Sequence, residues 1–235
     1  MSWGADAERT GSRNKGWRTI AIMKTMQSVT KDEGRDGAQD KLGRTPLHLA
    51  FVKGCPEEAK RLIDENANVN ACDHDGFAPL HLAVSKGFRD LAECLIEKGA
   101  NVNAGDKDGR SPLHWVAFFG NRSMTQFLIE KGADLDAVDK DGRTALHRCA
   151  TRGVCSVAEL LLVRGANVNA VDNDRKTPLH YAVDWNHVSM AKLLMVNGAN
   201  VDAVDNDRKT PLYYAAAVRG HSEMTDLLRW HGAKE

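Results

Sequence analysis

The sequence repeats itself every 33 residues. Six related boxes follow one another at this interval: GRTPLHLA from Gly43, GFAPLHLA from Gly76, GRSPLHWV from Gly109, GRTALHRC from Gly142, RKTPLHYA from Arg175 and RKTPLYYA from Arg208. A fixed period of this length is typical of a solenoid, in which each unit buries its apolar face only against its neighbours. The repeats therefore predict one elongated array instead of a chain closed around a single core.

Residues 73–105 show what one unit contains. Residues 73–76, Asp-His-Asp-Gly, have the composition of a tight turn, and Pro79 suits the first turn of a helix, where its missing N–H is no loss. A first short helix is expected to run to about Gly87, and a second from near residue 91 to residue 98. The unit is thus a hairpin turn followed by two helices.

These features resemble the ankyrin repeat family. The resemblance rests on the TPLH-like box, on a Gly-Ala pair after the second helix and on the Val-Asn-Ala or Val-Asp-Ala segment that follows. It implies an all-α repeat solenoid of stacked helix-turn-helix units joined by β-hairpin-like loops. We expect an ankyrin repeat domain over residues 40–235, with repeats near 40–72, 73–105, 106–138, 139–171, 172–204 and 205–235.

The departures from the repeat pattern are local. Asn66 and Asn186 stand where a left-handed glycine is expected, and Asn is the next-best residue for that conformation. Arg175 and Arg208 replace the turn glycine, which costs about 1 kcal/mol if a positive φ is kept there. An extra residue before Gly220 predicts a bulge or a longer turn in the sixth repeat.

Both ends of the array differ from its middle. Glu58, Arg61 and Arg229 stand where the inner repeats carry apolar residues, which is typical of the end units of a stack and predicts that the six repeats are complete. Residues 1–39 are rich in Gly, Ser, Asp, Lys and Arg and predict a mostly disordered arm. The alternative is a short helix over 20–30, because apolar residues recur there at helical spacing.

Composition excludes several classes of function. Lys plus Arg equals Asp plus Glu at 32 each, so no strongly basic surface for nucleic acid is expected. No apolar run is long enough for a membrane span. Five cysteines without a CxxC pair favour free thiols in a reducing compartment. We therefore expect a monomer in the cytoplasm or the nucleus that binds neither nucleic acid nor membrane.

The sequence predicts no enzyme, no metal site and no cofactor. The box histidines lie one repeat apart, too far from one another to ligate one zinc ion, and the resemblance implies that they brace neighbouring turns through hydrogen bonds. Cys149 and Cys155 leave a redox-sensitive regulator as an alternative, although buried thiol packing is the more frequent role of such residues. The recurring histidines are His48, His81, His114, His147 and His180.

A second alternative is modification. Asn70, Asn103 and Asn169 each follow a valine and resemble the asparagines that a cytosolic asparaginyl hydroxylase modifies in ankyrin proteins. The acidic residue that this enzyme prefers two positions earlier is absent from all three sites. A structural role in the loop competes with this interpretation.

The resemblance implies a protein-binding function, in which an adaptor, scaffold or inhibitor docks a segment of another protein in its concave groove and on its hairpin tips. Aromatic side chains and arginines are frequent anchors of interfaces, and here they concentrate in the first helices and the hairpin tips. We expect a groove centred on repeats three to five that binds a partner of apolar and acidic character. The predicted contact residues are Phe77, Arg110, Trp115, Phe118, Phe119, Arg148, Arg152, Tyr181, Trp185 and Tyr214.

Overall fold

The computed structural model describes residues 39–217 and 222–234, and in this part of the chain the helices come in pairs with no strand between them. A first helix of seven or eight residues is followed, after a short turn, by a second helix of nine. The helices are α1 (Pro46–Lys53), α2 (Pro56–Asp64), α3 (Pro79–Lys86), α4 (Arg89–Glu97), α5 (Pro112–Phe119), α6 (Arg122–Glu130), α7 (Ala145–Arg152), α8 (Cys155–Val163), α9 (Pro178–Asp184), α10 (Val188–Val196), α11 (Pro211–Ala217) and α12 (Ser222–Trp230). The solenoid predicted from the period and the all-α class implied by the resemblance are both confirmed.

The first helices begin and end where the sequence predicts. In α5, Ser111 lies in extended backbone just before Pro112, and the Ser111 hydroxyl lies 2.9 Å from Nδ1 of His114. Gly120 then ends α5 in the left-handed conformation, with φ of 79°. Because a hydroxyl residue, a proline and a glycine mark these boundaries locally, helix position follows directly from the box.

Successive hairpins are joined by backbone hydrogen bonds. In the second repeat, Oδ1 of Asp73 accepts the N–H groups of Asp75 and Phe77, both at 2.9 Å, and this closes the turn. The Lys107 N–H of the next hairpin donates to the Asp75 carbonyl at 2.9 Å. A Cβ atom at Gly76 would lie 2.4 Å from the Lys107 nitrogen, so this close approach requires glycine.

All four predicted left-handed residues have a positive φ. The angles are 60° at Asn66, 57° at Arg175, 53° at Asn186 and 62° at Arg208. The two arginines therefore carry the backbone strain expected of them, on the order of 1 kcal/mol each.

The core is a stack of layers, one for each helix pair. Leu80, Leu113, Leu146 and Leu179 occupy equivalent positions in successive first helices, and each is at most 1% exposed. First helices pack against first helices and second helices against second helices, so the apolar cluster is continuous from α1 to α12. Each repeat is stabilised by its neighbours, as the period predicts.

The first repeat presents a charged outer face. Glu58 and Arg61 on α2 are exposed and form an ion pair at 2.7 Å, whereas Leu91 and Met124, at the position of Glu58 in the next two repeats, are buried. The predicted arm, the alternative helix over 20–30 and the extra residue before Gly220 lie outside the described residues. None of the described helices is both long and apolar enough to cross a membrane.

Candidate functional site

Each hairpin turn contains an aspartate that anchors a buried polar layer. In the third repeat, Oδ1 of Asp106 accepts the N–H groups of Asp108 and Arg110 at 2.9 and 3.0 Å. Its Oδ2 accepts from Nε of Arg110 at 2.8 Å and from Nε1 of Trp115 at 3.2 Å. One carboxylate therefore fixes the hairpin and two large side chains.

The residue after the box histidine reaches this aspartate in four repeats. Besides Trp115, the Tyr181 hydroxyl donates to Asp172 at 2.6 Å and the Tyr214 hydroxyl to Asp205 at 2.5 Å. Arg148 forms an ion pair with Asp139, and its Nε is buried without a hydrogen-bond partner among the described residues. Burial raises the pKa of Tyr181 and Tyr214, so both hydroxyls remain protonated donors.

The ten predicted contact residues separate into three groups by exposure. Phe77, Arg110, Trp115 and Tyr181 are 5% exposed or less, so they lie beneath the surface instead of lining an open groove. Phe118, Arg148 and Tyr214 are half-buried, and Phe119, Arg152 and Trp185 are exposed.

The buried group forms a layer under the hairpins. The Phe77 and Trp115 rings lie edge to face with centroids 5.5 Å apart, and the Arg110 guanidinium covers the Trp115 ring at 4.6 Å. In the next layer Nε of Arg143 donates to the Tyr181 hydroxyl at 3.0 Å. These aromatic residues therefore hold adjacent repeats together.

The exposed residues form a patch at the C-terminal ends of three first helices. Phe119 ends α5, Arg152 ends α7 and Trp185 follows α9; these are equivalent positions on helices that pack side by side. Phe119 is 44% exposed and Trp185 42% exposed. The Arg152 guanidinium covers the Phe118 ring at 4.8 Å. We name Phe118, Phe119, Arg152 and Trp185 the aromatic–arginine patch.

The patch combines apolar surface with an available cation. Arg152 forms no hydrogen bond or ion pair with the described residues, in contrast to Arg148 and Arg143 in the same repeat. The Phe118 and Phe119 rings are perpendicular with centroids 5.7 Å apart, and Trp115 stacks beneath Phe119 at 6.2 Å. The buried layer thus supports the exposed rings from below.

The box histidines are structural in this geometry. Nδ1 of His147 accepts the Thr144 N–H at 3.1 Å, so its Nε2 carries the proton and donates to the Lys176 carbonyl of the next repeat at 3.1 Å. Burial lowers the pKa of His48 and of His147 to about 4 and also lowers the pKa of the other three. Within residues 39–217 and 222–234, no group of three or more acidic, histidine or cysteine side chains could hold a metal ion.

Cys149 and Cys155 show no sign of activation. Cys149 is fully buried, and burial raises the pKa of its thiol. Cys155 is half-buried, with its pKa raised for the same reason. Because the thiolate is the reactive form, neither side chain has the environment of a redox sensor.

The three candidate hydroxylation sites tie neighbouring loops together. Oδ1 of Asn103 accepts the Asp134 N–H at 2.9 Å, and its Nδ2 donates to the Gly132 carbonyl at 3.3 Å. Asn70 and Asn169 make the same pair of bonds to the following repeat. Their side-chain amides are exposed but already occupied by backbone partners.

The structure adds one aromatic residue that was not predicted to be a contact residue. Tyr213 occupies the histidine position of the sixth box and is 54% exposed. The Lys209 ammonium lies 5.4 Å from its ring centre, and the Tyr214 ring is perpendicular to it at 5.9 Å. The change from histidine to tyrosine was the sequence signal that could have identified it.

The comparison with protein families agrees with the geometry. The family model "Ankyrin repeats (3 copies)" matches residues 20–106, 102–172 and 152–234, which together cover most of the chain. No curated protein matches the sequence. With helix pairs, hairpin ladder and family match in agreement, the chain belongs to the ankyrin repeat family, whose repeats are in general protein–protein interaction modules and not enzymes.

Proposed function

We propose that this protein is an adaptor, scaffold or inhibitor that holds a segment of a partner protein against the aromatic–arginine patch. The observation that carries the proposal is the row of Phe119, Arg152 and Trp185, which are exposed at equivalent positions on three consecutive first helices. Aromatic residues and arginine bury a large area for few rotatable bonds, and they dominate the energetics of many interfaces.

The layer beneath the patch supports tight binding. Trp115 is 1% exposed, is hydrogen-bonded to Asp106 and stacks on Phe119. A side chain held in place before association loses less conformational entropy when the partner binds. Trp115 therefore acts as a support of the surface, whereas Phe119 and Trp185 make the contact.

The chemistry of the patch indicates the kind of partner. Exposed rings of Phe119 and Trp185 favour apolar side chains, and Arg152 without a carboxylate partner favours an acidic one. An extended or helical segment with both kinds of side chain fits this surface. The protein is expected to bind it as a monomer in the cytoplasm or nucleus, with no cofactor.

Neither alternative function gains support from the geometry. Hydroxylation at Asn70, Asn103 or Asn169 would act on amides that bridge adjacent repeats. A redox-sensitive regulator would need an activated thiol, and burial raises the pKa of Cys149. Both remain predictions that mass spectrometry of the intact protein from cells tests directly.

The test is affinity capture with two matched triple variants. Phe119→Ala/Arg152→Ala/Trp185→Ala removes the exposed patch but leaves Trp115 in place, because a cavity in the buried layer would confuse loss of binding with loss of fold. Val163→Ala/Val196→Ala/Trp230→Ala removes side chains that are at least 75% exposed on the second helices. Circular dichroism verifies that both variants fold.

We expect a partner that the wild type and the second-helix variant retain and the patch variant loses. The affinity of that partner, measured with purified proteins, should fall at least tenfold in the patch variant. Unchanged capture by a folded patch variant would contradict the proposal and direct attention to the hairpin tips.

A further inference from the structure

The hairpin turns of the fifth and sixth repeats contain arginine where the first four contain glycine. Arg175 and Arg208 have φ of 57° and 62°, a conformation that is unfavourable for a residue with a Cβ atom. Strain of this kind is concentrated at functional sites in proteins. The strained arginine recurs at the same position in two adjacent repeats.

Both guanidinium groups are exposed and available. Beyond the backbone hydrogen bonds of these two residues, neither guanidinium group forms a hydrogen bond or an ion pair with any described residue. By contrast, the third and fourth hairpins carry an arginine one position later, directly after the turn glycine, and each forms an ion pair. Arg110 pairs with Asp108 at 2.9 Å, and Arg143 pairs with Asp141 at 3.3 Å. The Arg175 and Arg208 guanidinium groups thus lack the ion pairs that Arg110 and Arg143 form within their own hairpins.

Arg175 borders an open concavity of about 360 Å³ between the loop that ends the fourth repeat and the loop that ends the fifth. Val171 and Val204 form its apolar walls and are 54% and 41% exposed. The loops that carry them are held together, since Oδ1 of Asn169 accepts the Asn200 N–H at 2.8 Å. The concavity therefore exists before any ligand binds.

The concavity is not uniformly positive. Asp202 also lines it, and Oδ1 of this carboxylate accepts the Lys234 N–H at 2.9 Å. A small anion filling the space would meet that negative charge. A peptide avoids this repulsion, because its backbone N–H groups can face Asp202 while an acidic side chain reaches Arg175.

We propose that this edge, formed by Val171, Arg175, Val204 and Arg208, binds an extended acidic segment of a partner protein. Carboxylates pair with Arg175 and Arg208, and an apolar side chain enters between the two valines. The two arginines are one repeat apart, and packed helices are spaced by about 8–10 Å. A polyproline II segment repeats its face every three residues, or about 9 Å. An acidic residue at every third position therefore matches the spacing of Arg175 and Arg208.

This edge is separate from the aromatic–arginine patch. The patch lies at the C-terminal ends of α5, α7 and α9, whereas Arg175 and Arg208 lie in the hairpin turns that precede α9 and α11. The inference does not depend on the proposed function, and the two can fail independently.

Fluorescence anisotropy with labelled twelve-residue peptides tests the proposal. The probe is four copies of Glu-Pro-Leu, and the control peptides replace every Glu by Gln or every Leu by Ser. The test variant is Arg175→Gly/Arg208→Gly, which removes both cations and the strain together. Arg122→Ala/Arg164→Ala is the matched control, because both of these arginines are exposed on the second-helix side.

We expect the wild type to bind the Glu-Pro-Leu peptide at least tenfold more tightly than either control peptide. The double glycine variant should lose at least tenfold in affinity while its unfolding midpoint stays the same or rises, and the matched control should retain binding. A variant that gains stability yet binds normally would overturn the proposal, as would equal affinity for the Gln peptide or no saturable binding by the wild type.

Arg152→Ala separates this edge from the patch. This variant should bind the acidic peptide like the wild type. Loss of binding in Arg152→Ala alone would place acidic segments in the patch and refute the assignment to the hairpin edge.

Discussion

At the scale of single residues, the box histidines form hydrogen bonds with partners at fixed sequence distances. The His147 ring is the clearest case, since it accepts from Thr144 within its own repeat and donates to Lys176 in the next. Only the neutral ring can do both, because a protonated ring has no acceptor. The histidines therefore make the stability of the array depend on pH.

The first prediction concerns that dependence. With folded pKa values lowered to about 4 at His48 and His147, the unfolded chain binds more protons than the folded one below pH 6.5. Stability is thus fully present above pH 6.5 and falls as the pH decreases toward 4, by up to about 1.4 kcal/mol per pH unit for each histidine. Urea unfolding at pH 7.5, 6.0 and 5.0 measures it; a flat profile would contradict the neutral-ring assignment.

The second prediction concerns Arg148. Its buried Nε has no hydrogen-bond partner, and burial lowers its pKa, whereas tyrosine at the equivalent position makes one complete hydrogen bond to the hairpin aspartate. Arg148→Tyr should therefore raise the free energy of unfolding by about 1 kcal/mol. Arg148→Leu is the control: it leaves Asp139 without this donor and should cost about 1–3 kcal/mol. A destabilised tyrosine variant would contradict the argument.

At the scale of helices, a hydroxyl side chain precedes the first helix in every repeat except the second. Ser111, Thr144 and Thr177 present a hydroxyl near the box histidine, at 2.9 to 3.0 Å. Ala78 has no such group, and only its backbone N–H reaches Nδ1 of His81, at 3.1 Å. Capping depends on residues within a few positions of one another, so the alanine at this position is sufficient to explain the weaker cap.

The third prediction follows from that difference. Ala78→Ser should stabilise the protein by about 0.5–1 kcal/mol, since the new hydroxyl can reach His81 as Ser111 reaches His114. Ala78 and its equivalent in the third repeat, Ser111, are both 2% exposed. The third repeat therefore accommodates the serine hydroxyl in the same buried position. Chemical denaturation of Ala78→Ser and of the control Ala78→Val distinguishes capping from added bulk. Equal effects of the two substitutions would refute the capping explanation.

At the scale of the whole molecule, the hairpin ladder couples the repeats. From the second repeat onward, each described hairpin donates one backbone N–H to the preceding hairpin. The first of these bonds runs from the His74 N–H to the Leu42 carbonyl at 2.8 Å, and the last runs from the Asn206 N–H to the Asp174 carbonyl at 3.0 Å. In a solenoid, stability is the sum of the repeats and their nearest-neighbour interfaces. Breaking the hydrogen bond between two hairpins should therefore lower the stability of both repeats.

The fourth prediction separates that coupling from local strain. Gly76→Ala and Gly99→Ala both place a Cβ atom at a positive φ, and each should lose about 1 kcal/mol for that reason. Only Gly76 lies against the next hairpin, with the Lys107 nitrogen 2.4 Å from the added atom, whereas nothing lies within 4 Å at Gly99. Gly76→Ala should thus lose clearly more in thermal unfolding. Equal losses would mean that the ladder contributes little.

The sequence by itself determined the register of the array, its helix pairs and its left-handed positions. These features depend on residues close together in the chain, such as Thr144 with His147, and the 33-residue period repeats them. Only the tertiary structure decided which aromatic side chains face solvent. Trp115 turns toward Asp106, nine residues earlier, and is buried, whereas Phe119 lies one helical turn further on and is exposed. Burial of a side chain is set by the layers stacked on either side of it, and a local pattern does not contain that information.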